Sequence, residues 1–90
     1  MNTIEQQRYY YLYEQHLINL SLQGKRPSTI DAYSRAVRRI SEFFDRAPDT
    51  FTVADLKQYF NSLIKTHSWS TIKLDRNDLQ FFYHYTLDKQ

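Results

Sequence analysis

Apolar residues recur at alternating three- and four-residue steps in four stretches of the chain, and short polar breaks separate these stretches. This spacing places each set of apolar residues on one face of an α-helix. The clearest stretch predicts a helix over residues 29–45 with a core-facing stripe formed by Ile30, Tyr33, Val37, Ile40 and Phe44. Because the opposite face of this helix is polar, the helix needs neighbours that cover its apolar side.

The same spacing predicts three more helices, over residues 4–22, 53–65 and 71–87. The predicted stripe of the first helix consists of Tyr9, Tyr13, Leu17 and Leu20, and that of the third helix consists of Val53, Leu56, Phe60 and Leu63. The fourth helix has two apolar sides, which consist of Ile72, Leu79, Phe82 and Tyr83 and of Leu74, Phe81 and Tyr85. It is therefore predicted to be the most buried helix. Four helices without a strand pattern predict a single all-α domain over residues 1–90.

Hydroxyl residues mark the predicted beginnings of three helices. Ser28 and Ser70 are the predicted N-caps of the second and fourth helices. Thr52 with Asp55 three residues later resembles a capping box and opens the third helix. Trp69, just ahead of the last cap, is predicted to pack onto apolar neighbours rather than to stack on a base.

A polar strip separates the two apolar sides of the fourth helix. It consists of Lys73, Asn77, Gln80 and His84. None of these residues is acidic, and each can hydrogen-bond to phosphates or to base edges. A solvated helix face and a surface that reads a DNA groove are equally compatible with this pattern.

The excess positive charge of the chain lies around the second helix. The formal net charge is +2, and residues 23–46 hold six Lys or Arg against three Asp or Glu. Lys25 and Arg26 precede the predicted beginning of this helix, where free backbone N–H groups attract anions. This corner is therefore predicted to bind a phosphate.

The arginines of the second helix allow two interpretations. Asp31 with Arg35, and Arg38 with Glu42, have the four-residue spacing of ion pairs on a solvated helix face. Arg35 and Arg39, in contrast, are like charges four residues apart, which an external anion would relieve.

The second and fourth helices share a short repeated sequence, called here the echo. Ser28-Thr29-Ile30 and Ser70-Thr71-Ile72 begin the two helices with the same three residues. This echo predicts that the two helix beginnings project outward together and hold a polyanionic backbone between them.

Composition excludes several kinds of site. The chain has no cysteine and a single glycine, so a thiolate metal site, a cysteine nucleophile and a glycine-rich phosphate loop are ruled out. The three histidines fall on different elements, and each is predicted to lie at the surface or to be half-buried. Asp75 and Asp78 are predicted to be solvated or to pair with Arg76. No catalytic residue, metal or cofactor is expected.

The beginning of the chain has neither the charged leader nor the apolar run of a signal peptide, and no stretch is apolar enough to span a membrane. The absence of cysteine fits a reducing compartment. We therefore expect a cytoplasmic protein that does not insert into membranes.

In their order and spacing, these motifs resemble the N-terminal core-binding domain of tyrosine recombinases, the phage-integrase SAM-like domain. The resemblance runs from Tyr13 to Leu87, and its motifs are Leu17 to Leu20, Ser28-Thr29-Ile30 with Tyr33, Ile40 to Phe44, Thr52 to Leu56 before Tyr59-Phe60, and Ser70-Thr71-Ile72 before Leu79 and Phe82-Tyr83. Two positions depart from the family pattern: Arg76 stands where an apolar residue is usual, and Asp78 stands near a usually small one.

The resemblance implies a bundle of four helices, arranged as two crossed hairpins, that clamps duplex DNA opposite a separate catalytic domain. An arginine, histidine and tyrosine constellation in that other domain performs strand cleavage, so this chain is expected to be a non-catalytic fragment of a longer recombinase. An interdomain linker is expected at Asp88-Lys89-Gln90. Other protomers of the recombinase on DNA are the implied protein partners, and the fragment alone is expected to be a monomer.

By position, the resemblance assigns DNA contacts to the second and fourth helices. The DNA-binding candidates are Lys25, Arg26, Ser28, Thr29, Arg35, Arg38, Arg39, Ser70, Thr71, Lys73, Asn77, Gln80 and His84.

Two other functions are compatible with a small helical domain. The tyrosine-rich first helix would suit a protein-interaction module that docks a partner through an exposed apolar patch. A stand-alone helix-turn-helix regulator is less compatible, because no short turn leads into a solvent-facing recognition helix.

Overall fold

A computed structural model describes residues 1–88, which fold into four α-helices connected by short turns. The helices are α1 (Thr3–Leu22), α2 (Pro27–Phe44), α3 (Val53–Ile64) and α4 (Trp69–Tyr85). The described residues contain no β-strand, so the predicted all-α, four-helix class is confirmed. Of the linker expected at residues 88–90, residues 89 and 90 lie outside the described part of the chain.

The central pair of the bundle is α2 and α4, which contact each other more extensively than any other two helices. Helix α1 packs on both members of this pair, and α3 packs on α4. The division of the bundle into two crossed hairpins stays a prediction.

Contacts between α2 and α4 run in opposite chain order. The ring of Tyr33 lies 5.7 Å from the ring of Phe81, whereas Arg39, further along α2, contacts Asp75, which is earlier in α4. The beginning of α2 therefore lies beside the end of α4. The prediction that the two helix beginnings project outward together is wrong, because this antiparallel packing places them at opposite ends of the pair.

Local backbone chemistry explains where the helices begin and end. Gly24 has φ +73°, and the N–H groups of Gly24 and Lys25 donate to the carbonyls of Ser21 and Leu20, which closes α1. The predicted capping box of α3 is confirmed, because the Thr52 and Asp55 side chains each accept a hydrogen bond from the other's backbone N–H.

The predicted caps of α2 and α4 are wrong by two residues. The N-cap of α2 is Arg26, because the fixed φ of Pro27 suits the first helical position. The N-cap of α4 is Ser68, whose hydroxyl accepts from the N–H of Thr71 at 3.4 Å. Trp69 is consequently the first helical residue and is 65% exposed, so it does not precede the cap as predicted.

The predicted core of α2 is confirmed at Val37 and Ile40, whereas Ile30, Tyr33 and Phe44 are half-buried, and the predicted cores of the other helices need correction. Val37 and Ile40 are completely buried. Val53 is 70% exposed, because it opens α3 at the edge of the bundle, and Tyr59 fills the core from that helix instead. Leu74 and Tyr85 are also exposed, so α4 has one buried side rather than two.

His16 occupies a core position that sequence reasoning assigned to a surface or half-buried histidine. Its four-residue spacing from Leu12 and Leu20 puts it on the buried stripe of α1, edge-on to Phe82. Its Nε2 lies 3.5 Å from the carbonyl oxygen of Tyr33, and within residues 1–88 its Nδ1 has no hydrogen-bond partner. Burial lowers the pKa of His16 from 6.5 to about 4.

We expect His16 to make the fold sensitive to acid. Because its pKa is lower in the folded protein, its contribution is complete above pH 6.5 and is lost as the pH falls towards 4. Between pH 7 and 4.5, urea unfolding should show that the wild type loses about 2 kcal/mol more stability than His16→Met. His84→Gln, which alters an exposed histidine, is the matched control, and its free energy of unfolding should depend on pH as that of the wild type does. An equal loss of stability between pH 7 and 4.5 in the wild type and His16→Met would contradict the acid sensitivity assigned to His16.

Candidate nucleic-acid interface

The solvent-exposed face of α4 is positively charged and free of carboxylates. Its exposed polar residues include Lys73, Arg76, Asn77, Gln80 and His84, which recur at three- and four-residue steps over three turns. The two acidic residues of α4 are only 5% exposed (Asp75) and 2% exposed (Asp78). The helix is neutral by its Lys, Arg, Asp and Glu count, yet the strip that it presents to solvent carries two cations.

Asp75 is held by groups from two neighbouring helices. Arg39 of α2 donates to its Oδ2, and the hydroxyl of Tyr59 of α3 donates to the same oxygen at 3.4 Å. Burial and the nearby Asp75 charge raise the pKa of the Tyr59 hydroxyl. The prediction that Asp75 is solvated or pairs with Arg76 is therefore wrong.

Asp78 lies one turn further along α4 and is less well satisfied. Among residues 1–88, nothing hydrogen-bonds to its Oδ1. Burial, and secondarily the charge of Asp75, raise the pKa of Asp78 to about 7, against a smaller opposing effect of Arg39. The predicted solvation of Asp78 is also wrong, because it faces the α2–α4 contact rather than water.

Arg76 was missed as a candidate because its sequence neighbours Asp75 and Asp78 suggested local pairing. In residues 1–88 neither Arg76 nor Lys73 forms a salt bridge. Arg76 lies three residues after Lys73 and four before Gln80, and this spacing is the sequence signal that could have assigned it to the strip.

The beginning of α2 forms a second basic corner. Arg26 and Ser28 are exposed there, and Lys25 and Thr29 are half-buried. Within residues 1–88 no side chain caps α2, whereas Asn2, Thr52 and Ser68 cap the other three helices. The positive end of the α2 dipole therefore meets solvent without an internal acceptor, next to two cations.

This corner adjoins the end of the α4 strip. The Nζ of Lys25 lies 5.7 Å from the centre of the Phe81 ring, and Phe81 directly follows Gln80 of the strip. Ser70 and Thr71, which sequence reasoning grouped with this corner, lie at the opposite end of the α2–α4 pair.

The three arginines of α2 have three different partners. Arg35 pairs with Asp31 at 3.2 Å, as its four-residue spacing predicts. Arg38 donates to the Tyr13 hydroxyl of α1 at 2.9 Å. Arg39 is half-buried and bound to Asp75, so we assign it a structural role rather than a place at an exposed surface.

Arg35 and Thr71 reach a common cleft between α2 and α4. The cleft encloses about 160 Å³. Its lining consists of Ala32, Arg35, Arg39, Thr71, Leu74, Asp75 and Asp78. It brings candidates from both helices to one surface, with the two buried carboxylates beneath it.

No helix among residues 1–88 is long and apolar enough to cross a membrane. The same residues contain no group of three or more His, Cys, Asp or Glu side chains that could hold a metal ion.

The raised pKa of Asp78 predicts that its charge destabilises the folded protein above neutral pH. A group whose folded pKa lies above its unfolded value of 3.8 favours folding at low pH, and this contribution is lost as the pH rises through about 7. Asp78→Asn should therefore increase the free energy of unfolding at pH 8 by about 1–3 kcal/mol, with a smaller gain at pH 5. Urea unfolding at both pH values measures this difference.

Glu14→Gln, which removes an exposed carboxylate of α1, should change stability by less than about 0.5 kcal/mol at either pH. Destabilisation by Asp78→Asn at both pH values would show instead that the ionised carboxylate stabilises the fold.

Comparison with known protein families identifies the chain. The family model for the phage integrase, N-terminal SAM-like domain, matches residues 12–90. No curated protein and no solved structure shows significant similarity to the chain. The matched domain is not the catalytic part of an integrase, and it implies a role in site-specific recombination. With a match over nearly its whole length and an all-α, four-helix structure, the chain belongs to the family of phage-integrase N-terminal SAM-like domains.

Proposed function

We propose that this domain binds duplex DNA during site-specific recombination, through a surface that combines the exposed strip of α4 with the beginning of α2. One observation carries the proposal: α4 turns both of its carboxylates into the bundle, and its exposed polar groups are cations, amides, an imidazole and hydroxyls, none of them acidic. A surface without carboxylates avoids repelling the phosphates that supply most of the affinity for DNA.

Different parts of the surface suit different contacts. Lys73 and Arg76 suit phosphate oxygens, which set affinity and register. Asn77 and Gln80 carry amides that can pair with the edge of adenine in the major groove. Helix α4 is about 25 Å long and has the dimensions of an element that enters that groove.

The corner at the beginning of α2 suits a phosphate beside the end of α4. Arg26 and Lys25 supply charge, and the backbone N–H groups of Ser28 and Thr29 lie at the uncapped, positive end of the helix. Arg35, Ser70 and Thr71 would contact the backbone further along the pair. Arg38, which faces α1, would lie at the margin.

We infer that the domain acts beside a separate catalytic domain that carries the cleavage residues. Other protomers of the recombinase on the same DNA would be its protein partners. The expected compartment is the cytoplasm, where the DNA substrate is found. These inferences rest on the family and not on a feature of the four helices.

A protein-interaction module is the second candidate, and the surface of α1 favours it. Tyr10, Tyr11 and Leu22 are all more than half exposed on this helix. An apolar face of this kind suits a protein partner. The two functions involve different helices, so the effects of α4 variants distinguish them.

Removing the charges of the α4 strip should weaken DNA binding without weakening the fold. Lys73→Ala and Arg76→Ala should each raise the Kd about three- to tenfold, since each loses about one phosphate contact. Fluorescence anisotropy with a labelled duplex at low salt measures the Kd, and thermal unfolding checks the fold.

Lys65→Ala, which removes an exposed cation at the end of α3, is the matched control and should leave the Kd within about twofold of the wild type. Equal effects of Lys65→Ala and the two α4 variants would indicate non-specific charge attraction and would contradict the assigned surface.

The salt dependence should report the number of phosphates contacted. With four to six contacts, log K should fall with log salt concentration with a slope of about −4 to −5. Arg76→Ala should make the slope shallower by about one unit. A slope near zero for the wild type would exclude a backbone-binding surface.

A further inference from the structure

The cleft between α2 and α4 holds a carboxylate that has no stabilising partner. Asp78 lines this cleft of about 160 Å³, yet its side chain is almost completely buried. Within residues 1–88 its Oδ1 accepts no hydrogen bond. A buried carboxylate without a partner is costly when ionised and favours the protonated form.

The cations that line the same cleft are engaged elsewhere. Arg39 donates to Asp75, and Arg35 pairs with Asp31 on its own helix. Asp75 adds a second negative charge beside Asp78 on α4. Arg39 still lowers the pKa of Asp78, but this effect is smaller than those of burial and Asp75, so neither cation makes ionisation of Asp78 favourable.

Titratable groups on the remaining sides do not supply a counter-charge. Tyr33 of α2 is neutral at physiological pH, because burial and, secondarily, the charge of Asp78 raise the pKa of its hydroxyl. Tyr59 of α3 is likewise neutral and donates to Asp75. From α1, His16 packs against Phe82, one turn beyond Asp78, and stays neutral above about pH 5.

Two of the proposed DNA contacts, Arg35 and Thr71, line this cleft. A phosphate bound by Arg35 and Thr71 would therefore lie over the cleft whose lining includes the buried carboxyl of Asp78. An ionised Asp78 would repel this phosphate, whereas a protonated Asp78 would not.

We propose that binding of duplex DNA by this domain is coupled to the uptake of a proton by the buried carboxyl of Asp78. The proposal rests on the proposed DNA-binding function and adds a regulatory property to it. Thermodynamic linkage requires that a reaction which takes up a proton becomes more favourable as the pH falls. In the protein without DNA, the Asp78 carboxyl has a pKa of about 7, so the coupling operates near physiological pH.

The test compares the pH dependence of DNA affinity with and without Asp78. Every protein carries His84→Gln, because His84 is an exposed histidine on the same surface and its replacement removes the imidazole from the comparison. Anisotropy at constant low salt then gives the Kd between pH 8 and pH 6. With Asp78 present, the Kd should fall about three- to tenfold over this range, since one unit of pKa change corresponds to tenfold in affinity.

Asp78→Asn in the same background imitates the protonated carboxyl. Its Kd at pH 8 should approach that of the parent protein at pH 6, and its pH profile should be flat within about twofold. Glu14→Gln, which removes an exposed carboxyl of α1, is the matched control and should keep the parent's pH dependence.

Calorimetry gives a second measurement that needs no change at Asp78. The binding enthalpy of the His84→Gln protein at pH 7, compared between two buffers of different ionisation enthalpy, counts the protons taken up. The Asp78 carboxyl is about half protonated at pH 7 before binding, so we expect an uptake of about 0.3–0.5 proton per complex. Uptake below about 0.1 proton would overturn the proposal.

The outcomes separate this proposal from the proposed function. Binding at low salt with parallel pH profiles for the two proteins would overturn the coupling and leave DNA binding intact. Absence of binding at both pH values would overturn DNA binding and, with it, the coupling.

Discussion

The ion pair between Arg39 and Asp75 joins the two helices on which the rest of the structure depends. It lies in the largest helix contact of the bundle and allows α4 to turn an acidic residue inward, where Tyr59 of α3 also contacts it. A buried carboxylate without such partners would be strongly destabilising. Asp78, one turn away, shares the buried position without an equivalent partner, so the α2–α4 contact includes one satisfied and one unsatisfied acid.

The same packing determines the charge of the exposed surface. Lys73 and Arg76 lie on the side of α4 opposite its acidic residues, because they are one, two or five positions from Asp75 and Asp78, and residues at these separations do not share a helix face. Burial of Asp75 and Asp78 therefore separates the charges of a helix that is neutral by count. The positive strip is a consequence of how α4 packs, and the proposed DNA contacts follow from it.

Local sequence patterns predicted the helices well because the spacing of apolar residues along the chain reflects the period of the helix. The Thr52 capping box and the core stripe of α2 were found in this way. The predicted cap at Ser28 was wrong because Pro27 takes the first helical position and makes Arg26 the cap. The predicted cap at Ser70 was wrong because Ser68 offers the same hydroxyl two residues earlier, and a search for hydroxyl residues does not rank the two serines.

Properties that depend on distant contacts were predicted poorly. His16 and Asp78 are polar residues in buried positions, and a single sequence does not show which neighbours will cover them. Arg39 was taken for a surface cation because its partner lies 36 residues away. The relative direction of α2 and α4 has no local signal either, so the two helix beginnings were wrongly expected to lie together.

The most direct test of the proposed DNA-binding surface follows backbone amide chemical shifts while a duplex is titrated at low salt. The surface described above predicts perturbations at residues 73–84 of α4 and at residues 25–29, with the exposed face of α1 unaffected. Perturbations confined to Tyr10, Tyr11 and Leu22, or none at all, would contradict it.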